Sequence, residues 1–278
     1  MDYDVIKGDR TYQYFKGEAL YPFGHGLSYS TFKYNGITLD RKQAFSDKEQ
    51  EISVTVSITN TGDRAGEEVV QLYGHAKDSR VKRPRKELLA FRRVMLAGGE
   101  SLDVTFTLPL SELAMWDVTR ERFCIETGTY VFMGGSSSAE LPVSAELEVH
   151  GEVIPLRNLY QPVKAINYDD YEGVLIGECY EGGSAVEVKD QSGWIVFKDA
   201  QFGEGASSIK LRAASEQPVS IEIRLQGADG KLIGETQFTG TGAQAWNDYT
   251  AKLERVSGIQ DVYVVVNGRA SLSTVQFV

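Results

Sequence analysis

Apolar and polar residues alternate along most of the chain from residue 37 onward. The segment EISVTVSITN (51–60) places isoleucine or valine at every second position, and ESLDVTFTLPL (100–110) and ELPVSAELEV (140–149) continue the pattern. A period of two is typical of strands that turn one face to a core. Because no convincing helical pattern exceeds two turns, the sequence predicts an all-β protein.

The alternation falls into two blocks. Residues 37–150 predict an antiparallel β-sandwich of about seven strands, of the immunoglobulin or fibronectin type III kind. Residues 151–163 interrupt the pattern and are interpreted as a linker. The alternation resumes in residues 164–278, which predict a second antiparallel sandwich, a jelly roll. The predicted architecture is therefore two β-sandwiches in tandem.

The segment before the first sandwich, residues 1–36, is rich in aromatic residues. It contains nine Tyr and Phe, with a dense group in LYPFGHGLSYSTFKY (20–34). A disordered leader is poor in aromatics because it has no surface on which to bury them. The sequence therefore predicts an extended tail that needs a partner surface.

Composition narrows the classes of function. The net charge is −10 and the pI is near 5.0, which argues against nucleic acid and anionic membranes as partners. There is no run of 18 apolar residues, so no membrane span is predicted. The two cysteines, Cys124 and Cys179, fall in different predicted domains; the absence of disulfide chemistry favours the cytoplasm.

Motifs for catalysis are missing. GECYEGGS (177–184) has the glycine spacing of a phosphate loop, but Gly183 stands where the lysine is needed. The three histidines are scattered, with no Cys, Asp or Glu at ligand spacing. We expect no catalytic residue and no cofactor in this chain, apart from a calcium ion considered below.

Two segments carry a family resemblance. GDRTYQYFKGEALYPFGHGLSYSTFKY (8–34) resembles the end of the α/β sandwich domain of family 3 glycoside hydrolases, the β-glucosidase and β-xylosidase family. Residues 65–138, with Val70-Gln71-Leu72-Tyr73, Lys86-Glu87-Leu88 and Gly134-Gly135-Ser136-Ser137, resemble the fibronectin type III-like domain that follows it.

The resemblance implies a non-catalytic role. In the family, the nucleophile and the acid/base residue lie upstream of these segments, and no position here matches either. The chain is then the non-catalytic C-terminal region of a parent enzyme that hydrolyses O-glycosidic bonds in β-glucosides or β-xylosides. Its partners would include the upstream catalytic domains of that enzyme, for which residues 1–36 are the tail.

The last block resembles a family 6 carbohydrate-binding module. The matching features are Ile166–Tyr171, Ser192-Gly193-Trp194, SIEIRLQGADGKLIGE (220–235), Trp246-x-x-Tyr249 and Val275-Gln276-Phe277. Such modules hold a sugar between two aromatic side chains and fix its hydroxyls with an asparagine. The resemblance implies a β-linked oligo- or polysaccharide as partner.

The resemblance also implies which residues bind. Trp246 matches the usual aromatic platform, in a Gly-rich loop where its ring is expected to be exposed, whereas Val188 stands where the second aromatic is usual. Asn267 lies near the usual asparagine position, with Arg269 beside it. The expected carbohydrate-binding residues are therefore Trp246, Asn267 and Arg269. Trp194 and Trp116 follow strand or core patterns, and we expect both to be buried.

A structural calcium often lies at the two ends of such a jelly roll, held by oxygen ligands. Asn167 and Asp169 match the first part of that site, but Ser273 replaces the usual closing aspartate. Asn167 and Asp169 are the candidate calcium ligands.

Two alternatives stay open at this point. The chain could be a purely structural or protein-interaction pair of sandwiches in which the sugar site has decayed, as the missing aromatic at Val188 suggests. It could also be a free-standing secreted lectin, which requires the aromatic tail to be harmless.

Overall fold

A computed structural model describes residues 4–47 and 49–278; Tyr3 of the predicted tail lies outside them. Strands dominate, and the α-helix at Thr11–Tyr14 and the 3-10 turns at Leu110–Leu113 and Ala165–Asn167 are short. The prediction of an all-β fold with two sandwiches is confirmed. None of the helices among the described residues is long and apolar enough to cross a membrane.

The chain divides into two compact units. The first unit comprises Met1–Asp117 and Glu121–Ile154, and the second comprises Val118–Arg120 and Pro155–Val278. Residues 4–36 thus group with the first sandwich, and the main division falls between Ile154 and Pro155.

The first unit is a sandwich of two sheets. Its strands are β1 (Phe32–Leu39), β2 (Gln43–Phe45), β3 (Glu51–Asn60), β4 (Gly66–Ala76), β5 (Glu87–Leu96), β6 (Ser101–Pro109), β7 (Met115–Asp117), β8 (Arg122–Cys124), β9 (Gly128–Gly135) and β10 (Val143–His150). Among the described residues, one sheet has the order β1-β3-β6 and the other β2-β10-β9-β4-β5, while β7 and β8 form a separate hairpin. Between these strands, the pairings that the structure describes are antiparallel, except that β10 and β2 run parallel.

The predicted alternation builds the core of this unit. Ile52, Val54, Val56 and Ile58 are all buried on one face of β3. Across the sheet, Val54 pairs with Phe106 of β6, so apolar side chains of neighbouring strands meet on the same face. Burial of each such side chain stabilises the fold by about 2 kcal/mol.

The aromatic tail is partly built into the first unit. The ring of Tyr12 stacks on that of Phe23, with centroids 4.1 Å apart, and the Gln71 side chain donates to the Gly24 carbonyl at 3.0 Å. Leu27 and Tyr29, in contrast, are almost fully exposed. The tail therefore has one packed side and one bare apolar side.

The expectation that Trp116 is buried is wrong. Its side chain is 49% exposed on the β7–β8 hairpin and meets Phe123 edge-on, with centroids 5.2 Å apart. Phe123 is itself exposed. The hairpin lies outside both sheets of the first unit, and so its aromatic pair is not covered by the sandwich core.

The second unit is a larger sandwich. Its strands are β11 (Val163–Lys164), β12 (Asp170–Glu172), β13 (Val174–Glu178), β14 (Ser184–Val188), β15 (Ser192–Gln201), β16 (Ser208–Ser215), β17 (Val219–Leu225), β18 (Lys231–Phe238), β19 (Gly242–Lys252), β20 (Ile259–Asn267) and β21 (Ala270–Phe277). In the described part of the chain, one sheet runs β13-β14-β21-β16-β19, with β11 paired to β21, and the other runs β12-β15-β20-β17-β18.

The two sheets of this unit enclose one core. Ile221 and Ile223 of β17 are fully buried and pair with Val266 and Val264 of β20. From the facing sheet, Leu211 of β16 is equally buried. Strands β18 and β19 end different sheets, so the open side of the sandwich lies between them.

Candidate functional site

Trp246, the expected sugar platform, lies on β19 and is only 7% exposed. It packs with Cys179, Ala185 and Ala214 in a small cluster separate from the main core. Its indole N–H donates to Oε1 of Gln244 at 2.9 Å. The expectation of an exposed ring is therefore wrong, because a neighbouring segment covers it.

That covering segment is the turn between β13 and β14, residues 179–183. Its shape depends on Gly183, at φ 73°, whose carbonyl accepts from the Cys179 N–H at 3.1 Å. Gln244 fastens the turn to β19, because its amide donates to the Glu178 carbonyl and its Oε1 accepts from the Tyr180 N–H, both at 3.1 Å. Tyr180, at the top of this turn, is 74% exposed.

Asn267 lies at the end of β20 and bonds to β17. Its Nδ2 donates to Oε1 of Glu222 at 3.2 Å and to Oγ of Ser220 at 3.4 Å, both on β17. Trp246, in contrast, packs on β14 and β16, which belong to the other sheet. The structure therefore places the two residues on different sheets of the second unit.

Arg269 is exposed in the turn that joins β20 to β21. Its carbonyl accepts from the Oγ of Ser215 at 2.7 Å.

Trp194 of β15, expected to be buried, is half-buried and lies 5.2 Å from the ring of Tyr263, measured between centroids. The expectation of a fully buried Trp194 is wrong.

An open groove of about 960 Å³ lies where β18 and β19 face each other. We call it the aromatic groove. Phe238 and Tyr249 line it, and their rings stack in parallel with centroids 3.7 Å apart. Its other lining residues are Pro218, Val219, Ser220, Gln237, Thr239, Thr241, Asn247 and Asp248. Stacked rings surrounded by hydroxyl, amide and carboxylate groups suit a ligand with both apolar and polar faces.

The polar groups of the aromatic groove are held in place. Nδ2 of Asn247 donates to Oγ1 of Thr241 at 3.2 Å and to the Ala245 carbonyl at 3.1 Å. Asn267 reaches the groove through its bond to Ser220. Groups with fixed positions pay less conformational entropy when a ligand binds.

Asp248 is the charged group of the aromatic groove. Its carboxylate lies 2.7 Å from Nζ of Lys210 and 3.3 Å from Nη1 of Arg212. Hydrogen bonds from Lys210, and then from Arg212, lower the pKa of Asp248 below its usual value. An ionised carboxylate is a strong acceptor for two neighbouring hydroxyl groups.

Arg212 also connects the groove to the turn over Trp246. Its Nε donates to Oε2 of Glu181 at 2.9 Å, and Nη2 contacts the other carboxylate oxygen. This two-point bond lowers the pKa of Glu181. The sequence analysis placed Tyr249 only in a family motif and did not predict Phe238, Tyr249 or Asp248 as site residues. The contact between Phe238 and Tyr249 joins strands from two different sheets.

Of the two candidate calcium ligands, Asn167 is half-buried at the end of the 3-10 turn Ala165–Asn167, and the surroundings of Asp169 do not suit a metal ion. Oδ2 of Asp169 already accepts from Nη2 of Arg157 at 2.9 Å and from the Lys198 N–H at 2.7 Å. Among the described residues, no group of three or more His, Cys, Asp or Glu is placed to hold a metal ion. A calcium ion at Asp169 would meet the guanidinium of Arg157 at close range, and like charges repel strongly where water is excluded.

Comparison with protein families matches each unit separately. Residues 68–138 match the fibronectin type III-like domain, and residues 164–278 match the carbohydrate binding module (family 6). Both matches agree with the resemblances seen in the sequence.

Relatives of known name cover the first half of the chain. Thermostable beta-glucosidase B of Acetivibrio thermocellus is 40% identical over 145 residues, which are 51% of this chain and 19% of that protein. Probable beta-glucosidase I of Aspergillus clavatus is 41% identical over 150 residues, 52% of this chain and 18% of that protein. The chain thus spans about a fifth of the length of these relatives.

A solved structure of a family 6 carbohydrate-binding module from Clostridium cellulolyticum, in complex with xylose, is 30% identical. It covers 44% of this chain and 98% of that chain, with a TM-score of 0.42. The family matches thus give this chain a fibronectin type III-like domain followed by a family 6 carbohydrate binding module.

Proposed function

We propose that this chain is the non-catalytic C-terminal region of a β-glucosidase, and that its second unit binds a β-linked oligo- or polysaccharide in the aromatic groove. The observation that carries the proposal is the stacked pair Phe238 and Tyr249, which lines a groove with Asp248 and Asn247 in a unit that matches a carbohydrate binding module.

The chemistry of the groove supports this class of ligand. β-Linked glucose and xylose units present flat C–H faces, which pack on aromatic rings, and hydroxyl groups around their edges. Phe238 and Tyr249 offer the apolar surface. Gln237, Asn247 and Asp248 supply the side-chain polar groups beside them. Electrostatics agree, because a neutral sugar is not repelled by a chain with a net charge of −10.

The same groove distinguishes this proposal from a purely structural role. A pair of sandwiches that only braces another domain needs no open groove with ordered polar groups. The matches to family 3 β-glucosidases also support an enzyme as the parent protein, with its catalytic groups outside this chain. The isolated chain should therefore bind sugars and not hydrolyse them.

The test is isothermal titration calorimetry of the whole chain with gluco- and xylo-oligosaccharides. Asn247→Ala and Asp248→Asn should each weaken binding about tenfold, which corresponds to one good hydrogen bond. Thr250→Ala is the matched control, because Thr250 lies exposed on the same strand outside the groove. Binding that is unchanged in both groove variants would place the sugar elsewhere, and the absence of binding to wild type at millimolar ligand would contradict the proposal.

A further inference from the structure

The second unit contains a buried positive charge. The side chain of Arg157 is 1% exposed, and its Nη2 donates to Oδ2 of Asp169 at 2.9 Å. Asp169 is also almost buried, with 10% of its side chain exposed. The guanidinium lies 5.3 Å from the ring centroid of Phe197, within range of a cation–π interaction.

Arg157 is held by its backbone as well. Its N–H donates to the Asp199 carbonyl at 3.1 Å, and its carbonyl accepts from the Gln201 N–H at 2.9 Å. The residue therefore pairs with the end of β15 while its side chain reaches under the same strand. This double attachment joins the segment before the jelly roll to one of its central strands.

Asp169 is fixed from three sides. Besides Arg157, the Lys198 N–H donates to its Oδ2 at 2.7 Å, and the Asp169 N–H donates to the Val196 carbonyl at 2.8 Å. A buried carboxylate with this geometry needs a positive charge beside it, since an uncompensated charge out of water is strongly unfavourable. Arg157 meets that need inside the chain.

We propose that Arg157 supplies to Asp169 the positive charge that a bound calcium ion would otherwise supply, so that the second unit folds and keeps its stability without calcium. The guanidinium occupies one side of the carboxylate and repels a divalent cation from it. The stability of the unit then depends on one arginine in the segment that precedes its sheets.

The first experiment compares thermal unfolding of the whole chain in EDTA and in millimolar CaCl₂, with MgCl₂ as the control for ionic strength. Hydrogen exchange of the Lys198 amide gives a local readout, because that amide donates to Asp169. The melting midpoint and the Lys198 protection should be the same in all three solutions. A rise of several degrees with calcium alone, or calcium-dependent protection of Lys198, would overturn the proposal.

The second experiment removes the charge. Arg157→Met should lower the thermal unfolding midpoint of the second unit by about 10 °C, because the buried carboxylate of Asp169 then has no positive charge beside it. Adding Asp169→Asn to Arg157→Met should recover most of that loss. Lys189→Met is the matched control, since Lys189 forms an exposed ion pair with Glu187 at 3.0 Å and should change little.

The outcomes are separable from the proposed function, because none of these readouts needs a sugar. If Arg157→Met does not fold, the comparison of EDTA and calcium on the wild-type chain still decides the matter. An Arg157→Met chain as stable as wild type would show that the pair carries no such role.

Discussion

The indole N–H of Trp246 donates to Oε1 of Gln244 at 2.9 Å, and the same oxygen accepts from the Tyr180 N–H at 3.1 Å. One glutamine side chain thus joins the tryptophan to the turn that covers it. The ring acts in the folded chain as a support for that turn.

Trp246→Ala should therefore destabilise the second unit. Removal of a buried indole leaves a cavity against Ala185 and Ala214 and removes a partner of Gln244, at a cost of about 3 kcal/mol. Urea denaturation monitored by circular dichroism measures the free energy of unfolding. Tyr180→Ala is the control, since that side chain is 74% exposed and its loss should cost less than about 0.5 kcal/mol. A Trp246→Ala chain of unchanged stability that fails to bind sugar would instead make Trp246 a direct contact.

A half-buried carboxyl gives the first unit a pH dependence. Burial raises the pKa of Glu68 above its ordinary value, although the hydroxyl of Tyr34, which donates to Oε1 of Glu68 at 2.8 Å, opposes the shift. The folded chain then binds a proton more tightly than the unfolded chain. Stability should fall as pH rises from the ordinary carboxyl pKa to the raised one.

Denaturation of wild type and Glu68→Gln across that pH window tests this. Glu68→Gln should remove this contribution to the dependence of the unfolding free energy on pH, and it should be more stable than wild type at neutral pH. Tyr34→Phe loses the hydrogen bond that favours the charged carboxylate. In this variant the fall of the unfolding free energy should therefore continue to higher pH. A slope that persists unchanged in Glu68→Gln would assign the effect to other groups.

Asn60 holds the turn after β3. Its side chain is fully buried; Nδ2 donates to the carbonyls of Arg64 at 2.8 Å and Leu96 at 3.1 Å, and Oδ1 accepts from Ser30 at 2.6 Å. Asn60→Ala should cost about 3 kcal/mol because it leaves buried polar groups without partners. Asn35→Ala, at an exposed site bonded to Thr59, should cost below about 0.5 kcal/mol. Equal losses in the two variants would contradict this assignment.

The bare side of the tail should make the isolated chain associate. Leu27 is 94% exposed and Tyr29 fully so, and exposed apolar side chains in one segment favour contact with another surface. A Leu27→Ser/Tyr29→Ser chain should bind less of a hydrophobic dye and sediment as a smaller species at the same stability. Tyr14→Ser, at a buried site, should lower stability instead. If the double variant still associates, the surface responsible for association lies elsewhere.

The strands and cores could be predicted from the sequence, whereas the site could not. Alternation identified Val54 and Ile221 as core residues because the face of a residue in a strand follows from its position alone. The exposure of Trp116 and Trp246 depends on what covers the strand from outside. Trp246 is covered by a turn more than sixty residues earlier in the chain. The sequence pattern around Trp246 does not predict that contact.

The aromatic groove and the Arg157–Asp169 pair could not be predicted from the sequence for the same reason. Phe238 and Tyr249 belong to strands that end different sheets, so their contact is a property of how the sheets close. Arg157 sits in a segment with no periodic pattern. Its role becomes visible only when β15 is placed beside it.

The position of β21 governs when the second unit can assemble during synthesis. This strand lies in the middle of its sheet, between β14 and β16, and pairs with β11 as well. While the ribosome is still making residues 270–277, the strands on either side have no common neighbour and their edges stay open. The unit must therefore wait for its last strand to emerge, and the nascent chain needs protection from aggregation until then.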